Sequence, residues 1–256
     1  MKTLAVVNQK SVGKTTVVFH LGSAAADFHN LRVLFVSMDA QGSLELVLPR
    51  QEDAPPAMVA SELFAEETRS TPLEYLTDRV AIIRADPSMF DLDTAGEEFI
   101  KRPAKNLRQF ADDFDVCIID TPGRICMPLN AALAAADAVL CPTSMGLFEM
   151  AALADLWKFI QAVKKKGFNP RLRMMGILPN KINTKSKEEL QGLAALRVQF
   201  GTAIMPLMLK ESAAVKQATM RRRPVWMATK GAGHHAAALE WKSVCNEILV
   251  NLGVAK

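Results

Sequence analysis

The chain has 256 residues, 50% of them hydrophobic, with 31 Lys+Arg against 27 Asp+Glu for a formal charge of +4. That is enough apolar material to bury one large core, so the chain reads as a single domain over residues 1–256, with no linker, repeat or low-complexity stretch. No apolar run approaches the roughly 18 residues of a membrane span, Met1-Lys2-Thr3 leads into a core strand rather than a secretory leader, and Cys117, Cys126, Cys141 and Cys245 have neither disulfide nor zinc spacing, so no membrane span or secretory signal is expected and the cysteines read as reduced core thiols in a cytosol.

The first element is the apolar strand Thr3–Val7. It runs into Asn8-Gln9-Lys10-Ser11-Val12-Gly13-Lys14-Thr15-Thr16 and then a helix, Thr16–Phe28, rich in small residues. Strand, Gly-Lys-Thr and helix in that order have the layout of a phosphate-binding loop. Backbone N–H groups at the helix start point at the phosphates, the Lys14 ammonium reaches the β- and γ-phosphates, and the Thr15 hydroxyl is placed to hold Mg²⁺. Counting back from Lys14, the first glycine of the full pattern falls on Asn8, so the match is imperfect.

The strand Arg32–Val36 ends on Ser37-Met38-Asp39-Ala40-Gln41-Gly42, and Pro49–Pro56 reads as a surface loop. Val80–Arg84 is the next strand. Val116–Ile119 then ends on Asp120-Thr121-Pro122-Gly123. A carboxylate at the end of a buried strand needs a compensating partner, which Mg²⁺ with its water shell supplies. Beyond it come helix Leu129–Ala136, strand Ala138–Cys141, helix Leu147–Lys166, strand Arg173–Leu178 and helix Lys187–Phe200. A short strand Ala203–Met205 and the helices Ser212–Met220 and His234–Leu252 complete the pattern. Near-continuous apolar strands separated by helices indicate an α/β fold, a mostly parallel twisted sheet with helices on both faces. Ligands of such folds sit at the carboxyl ends of the strands, the edge that Lys14, Asp39 and Asp120 share.

Charge is divided unevenly. Residues 1–157 carry 13 Lys+Arg against 22 Asp+Glu, and residues 158–256 carry 18 against 5. So basic a half suggests a face held against a polyanion, because many modest phosphate contacts release counterions together. The clusters are Lys164-Lys165-Lys166; Lys181 with Lys185 and Lys187; and Lys210, Lys216 and Arg221-Arg222-Arg223. Any one of them alone is equally a solvated surface, and the lysine triplet suits a helix C-terminus. The adjacent His234 and His235 face different directions on a helix and read as capping or surface residues. Trp157, Trp226 and Trp241 read as core.

Taken together, the loop, the Asp39 segment and the Asp120 segment resemble the ParA/MinD family of P-loop ATPases, whose loop reads like NQKGGVGKTT, with DxDPQG after the second strand and IIDTPP at the fourth. The resemblance covers nearly the whole chain, since AAADAVLC at 134–141, FEMAAL at 148–153 and GILPNK at 176–181 follow in order. It is greatest to the small plasmid-partition ParA proteins that lack an N-terminal helix-turn-helix, so operator-specific repression by this chain alone is not expected.

The resemblance implies ATP and Mg²⁺ as cofactors. Nucleotide would be bound by Gln9, Lys10, Ser11, Val12, Gly13, Lys14, Thr15, Thr16, Asn180 and Lys181, with Thr15 and Asp120 (through water) at the metal. Asp39 aligns with the aspartate that positions the attacking water, a turn cap being the plain alternative. Asn180 matches the reader of the adenine edge, or else forms a turn. The family's signature lysine falls on Gln9 without a gap, leaving Lys10 displaced but near the γ-phosphate; with a one-residue deletion Lys10 itself takes that role. Catalysis is thus expected from Lys14, Asp39 and Lys10. Ser37 stands where the family usually has its first switch aspartate, which puts the hydrolysis rate in question.

The implied function is an ATP-dependent partition switch for plasmids or chromosomes. ATP·Mg²⁺ would join two subunits as a sandwich homodimer whose basic faces (Lys181, Lys185, Lys187, Lys210, Lys216, Arg221, Arg222, Arg223) hold DNA without sequence preference, away from the nucleotide edge. A centromere-binding or cargo-adaptor protein would stimulate hydrolysis and release, in the cytoplasm over the nucleoid and with no membrane partner. The alternatives are a positioning ATPase for a protein cargo and a nucleotide-binding scaffold with little hydrolysis. A membrane-bound MinD-like regulator needs a free terminal amphipathic helix, and the tail Asn251–Lys256 is too short for one.

Overall fold

The computed structural model describes residues 1–9, 12–67, 71–227 and 229–255. Seven strands form one sheet: β1 Lys2–Val6, β2 Val33–Ser37, β3 Glu74–Thr77, β4 Val80–Ile83, β5 Val116–Asp120, β6 Ala138–Thr143 and β7 Arg173–Pro179. Their spatial order is β3-β4-β2-β5-β1-β6-β7, and all pairs are parallel except β3 with β4. The helices are α1 Lys14–His29, α2 Ser43–Val47, α3 Arg102–Asn106, α4 Met127–Ala135, α5 Leu147–Lys165, α6 Lys187–Phe200, α7 Ala213–Met220 and α8 Ala232–Leu252.

Side chains alternate across a strand, and the two faces of the central strands fill different cores. Leu4, Val6, Phe35, Ile118 and Leu140 pack with α1 and with Trp241 and Ile248 of α8. Ala5, Val139 and Cys141 pack with Leu153, Leu156 and Ile160 of α5 on the other face, while Leu34, Val36, Ile83 and Cys117 pack with Met58, Leu63 and Leu107. All four cysteines are buried and free. Gly22 lets α1 lie close on the sheet, since a Cβ there would stand 2.1 Å from the Phe35 ring.

The parallel strands and long helices of the sequence pattern are present, with ends shifted by one or two residues. Two expectations differ. Ala203–Met205 is not a strand: a 3₁₀ turn at Gly201–Ala203 leaves a single bridge, Ile177 to Ile204. Pro206, which has no N–H to donate, follows directly. The edge strand β3 was not visible in the sequence, because its four residues, Glu-Tyr-Leu-Thr, alternate between exposed and half-buried and make no apolar run. It is anchored instead by Arg84, whose Nε donates to Glu74 Oε2 at 2.8 Å and Nη1 to the Leu48 carbonyl at 2.6 Å. No helix among the described residues is long and apolar enough to cross a membrane.

Candidate functional site: a nucleotide cleft at the carboxyl edge of the sheet

The loop after β1 turns into α1 through Gly13, which sits in the left-handed region at φ 86. That backbone disfavours a side chain, and a Cβ there would also crowd Asn180 Nδ2 at 3.0 Å. Asn180, 3% exposed at the end of β7, donates from Nδ2 to the Val12 carbonyl at 2.7 Å, and its Oδ1 accepts from the Lys181 N–H at 2.9 Å. In this conformation the amide ties the loop before α1 to the end of β7. Asn8 is likewise buried, with Nδ2 donating to the Pro142 carbonyl of β6. The loop is therefore pinned to two neighbouring strands by side-chain amides. Lys10 and Ser11 lie outside the described residues.

Parallel pairing brings the distant parts together. Val6 is in register with Asp120, and Asp120 with Ser37, so β1, β5 and β2 deliver their ends side by side. Thr15 donates its hydroxyl to Asp120 Oδ2 at 2.7 Å. Lys14 is 9% exposed, and its Nζ lies 3.6 Å from the Cβ position of Gly123. Asp39 accepts from Gln41 N–H through Oδ1 at 3.1 Å, and its carbonyl accepts from Gly42 N–H at 2.9 Å. Asp39 thus caps its own turn while also lining the cleft. Lys14, Thr15 and Asp39 border an open cleft of about 1020 Å³ whose walls also include Gln9, Gly13, Gly123, Arg124, Lys181 and Arg222, while Asp120 and Ser37 are buried behind it.

The electrostatics of this cleft suit an anion with a cation beside it. Burial pushes the Asp120 carboxyl up to about 7, against the Thr15 hydrogen bond and the Lys14 ammonium, which pull it down. Burial also lowers Lys14, opposed by Asp120 and Asp39. Both groups are ill-solvated at ordinary pH, a cost that phosphate oxygens and a hydrated divalent cation relieve. Asp120 Oδ1 and Gln9 Nε2 are buried without a hydrogen-bond partner among the described residues. An orphaned carboxylate oxygen beside a helix-terminal threonine fits Mg²⁺ held by Thr15 and, through water, by Asp120.

A second cavity of about 400 Å³ opens off this cleft and shares Thr16, Lys181, Thr219 and Met220 with it; Asn180, Lys210, Val215, Lys216 and Trp241 complete much of its wall. The expectation from sequence therefore needs one correction: the basic segment does not lie away from the nucleotide edge. Arg222 borders the main cleft, and Lys210 and Lys216 line its side cavity; Lys210 pairs with Glu240 at 3.4 Å and Lys216 with Glu211 at 2.6 Å. Lys185, Lys187, Arg221 and Arg223 are exposed and line neither cavity.

Sequence reasoning passed over Glu45, Arg124 and the Thr219–Met220 wall. Glu45 of α2 accepts from Ser37 Oγ at 3.3 Å and from Ala85 N–H at 2.8 Å, which brings a carboxylate beside the strand end where Ser37 carries none. The one available signal was an acidic residue three positions after the Gly42 turn. Arg124, next to Gly123, is paired with Asp93.

The parallel sheet, the pinned loop and the Thr15–Asp120 pair define a P-loop nucleotide-binding protein. The chain belongs to the ParA/MinD-like P-loop ATPases, and a family model described as an AAA domain matches residues 1–174. Protein IncC of Escherichia coli is 28% identical over 268 residues, covering 100% of this chain and 71% of IncC. The chromosome-partitioning ATPase Soj of Thermus thermophilus is 29% identical over 206 residues, covering 80% of this chain and 79% of Soj. In fold the chain is similar to a Cyanothece McdA variant in its ATP complex, with a TM-score of 0.85 at 21% identity over 100% of this chain and 98% of that one.

Proposed function

We propose that the chain is an ATPase switch for partition or positioning, which binds ATP·Mg²⁺ at the carboxyl edge of the sheet and turns it over slowly. The observation that carries this is the convergence of Lys14, Thr15 and Asp39 on one cleft, with Asp120 buried behind it and bonded to Thr15, and with a side cavity of about 400 Å³ beside it suited to a nucleoside. The kinship with IncC and Soj supports the partition role. Lys14 and the α1 N–H groups would hold the phosphates, Thr16, Lys181, Thr219 and Met220 would flank the nucleoside, and Asp39 would orient the attacking water. Bound Mg²⁺ would neutralise charge developing on the phosphates.

A nucleotide-dependent homodimer is supported by apolar side chains on the cleft wall. Leu46 is 70% exposed and Met220 84%, an arrangement suited to a second copy meeting this edge. The exposed Lys185, Lys187, Arg221 and Arg223 would then form the face for non-specific DNA, and a centromere-binding or cargo-adaptor protein would stimulate release, in the cytoplasm at the nucleoid. A second reading, a scaffold with little hydrolysis, is favoured by Ser37, which brings a hydroxyl rather than a carboxylate to the strand end.

Retention of duplex DNA with ATP, with ADP and with neither tests the switch, and phosphate release in single turnover tests hydrolysis. DNA held only with ATP supports partition; equal retention with ADP overturns it. Absence of single-turnover hydrolysis favours the scaffold.

A further inference from the structure

Helix α7 ends in a Schellman turn. Arg221 is its cap, Arg222 N–H donates to the Thr219 carbonyl at 2.9 Å, and Arg223 N–H reaches back to the Ala218 carbonyl at 3.0 Å. This turn needs one residue in the left-handed region, and glycine is the usual choice because it has no Cβ to clash. Here that residue is Arg222, at φ 55.

Among the described residues only Asn30, Lys181 and Arg222 are non-glycines with positive φ. Asn30 caps α1 and is of a type that tolerates the conformation. The other two are cations, and both line the cleft that holds Lys14, Thr15 and Asp39; Arg222 stands at its rim, bordering as well a cavity between the segment after α2 and β3. Residues held in the left-handed region cluster at active sites, ligand clamps and switch regions.

Arg222 is held from two sides. Its Nε donates to the Leu46 carbonyl of α2 at 3.2 Å. Three residues on, Val225 N–H donates to His20 Nε2 at 3.2 Å, and His20, buried in α1, donates from Nδ1 to the Thr16 carbonyl at 2.8 Å. These bonds place the root of the guanidinium without using its two terminal nitrogens, and Arg222 forms no ion pair among the described residues.

We propose that Arg222 is a phosphate-binding residue of the nucleotide site, its guanidinium bonding the phosphates of the nucleotide held by Lys14 of the same subunit. The proposal rests on the ATP-site reading above and deepens it. A guanidinium fork matches paired phosphate oxygens and keeps its charge at any working pH. Through Leu46 the contact also ties α7 to the helix that follows Asp39, so both walls of the cleft would close on one ligand.

The turn itself supplies the decisive variant. Arg222→Gly places the residue that the turn prefers, so the nucleotide-free full chain should unfold at the same temperature as wild type or higher. Its affinity for a fluorescent ATP analogue with Mg²⁺ should fall about tenfold or more, the loss expected for a charge-assisted bond. Arg222→Lys should fall between the two. Three results overturn the proposal: Arg222→Gly binding the analogue within about twofold of wild type, Arg222→Gly unfolding at a lower temperature, or loss confined to duplex DNA binding. Wild type and Lys14→Ala binding the analogue equally poorly would sink the ATP-site reading itself, whereas a wild type that binds and is matched by Arg222→Gly sinks only the role of Arg222.

Discussion

Thr15 donates its hydroxyl to Asp120 across 2.7 Å and so joins the first turn of α1 to the end of β5. The bond uses Oδ2 and leaves Oδ1 of the same carboxylate buried without a partner among the described residues. Burial pushes that carboxyl up to about 7.

That state has a measurable pH signature. Burial raises Asp120 from 3.8 to about 7, so the folded chain binds this proton more tightly than the unfolded chain. Through Asp120, acidification from about 7 to 4 therefore stabilises the fold. Burial lowers His20 from 6.5 to about 4, so the folded chain binds that proton more weakly, and acidification from about 6.5 to 4 destabilises. The two effects oppose each other over nearly the same window. Nucleotide-free Asp120→Asn is expected to lose thermal stability between pH 7 and pH 5 more steeply than wild type. Parallel melting curves for the two proteins would show that Asp120 is not shifted.

Lys14 and Asp39 should separate binding from turnover. Lys14→Ala removes the buried cation of the loop, and nucleotide affinity should drop more than about tenfold, as for loss of a charge-assisted phosphate contact. Asp39 also caps its own turn through Oδ1, so Asp39→Asn, which keeps an acceptor there, is a better probe than alanine. It should bind nucleotide within about threefold of wild type and fail to release phosphate, a split read by titration and single-turnover assay. Equal losses in both measurements would make Asp39 a structural residue.

Asn180→Ala strips the Val12 carbonyl of a buried donor at 2.7 Å. Leaving a buried acceptor unpaired costs about 1–3 kcal/mol, which urea unfolding should register. Nucleotide affinity should weaken with it, because the loop is no longer pinned to β7. Unchanged stability would show that the amide is free to serve a base edge instead.

The DNA face is best tested away from the two cavities. Lys185→Glu combined with Lys187→Glu should leave nucleotide affinity unchanged. It should reduce the slope of log affinity for duplex DNA against log salt by roughly 2, at about 0.9 for each phosphate no longer neutralised. An unaltered slope would remove this segment from the interface. Lys210 and Lys216 are unsuited to that experiment, since both line the side cavity of the nucleotide cleft.

Much of the sheet was legible from residue order alone. Parallel strands are buried on both faces and so read as unbroken apolar runs, and Gly13-Lys14-Thr15 after such a run names a phosphate loop through chemistry that is local in sequence. The carboxylates Asp39 and Asp120 could be nominated for the same reason, because each stands at a strand end. What the sequence could not carry was anything set by contacts between distant segments. The edge strand β3 depends on the Arg84–Glu74 pair rather than on its own four residues. The tie from Asn180 to Val12 spans 168 positions, and that from Val225 to His20 spans 205. Above all, a run of three arginines reads only as a basic patch. That Arg222, unlike its two neighbours, borders the cleft of Lys14 follows from a left-handed residue at the end of α7 and a carbonyl on α2, and neither leaves a mark in composition or periodicity.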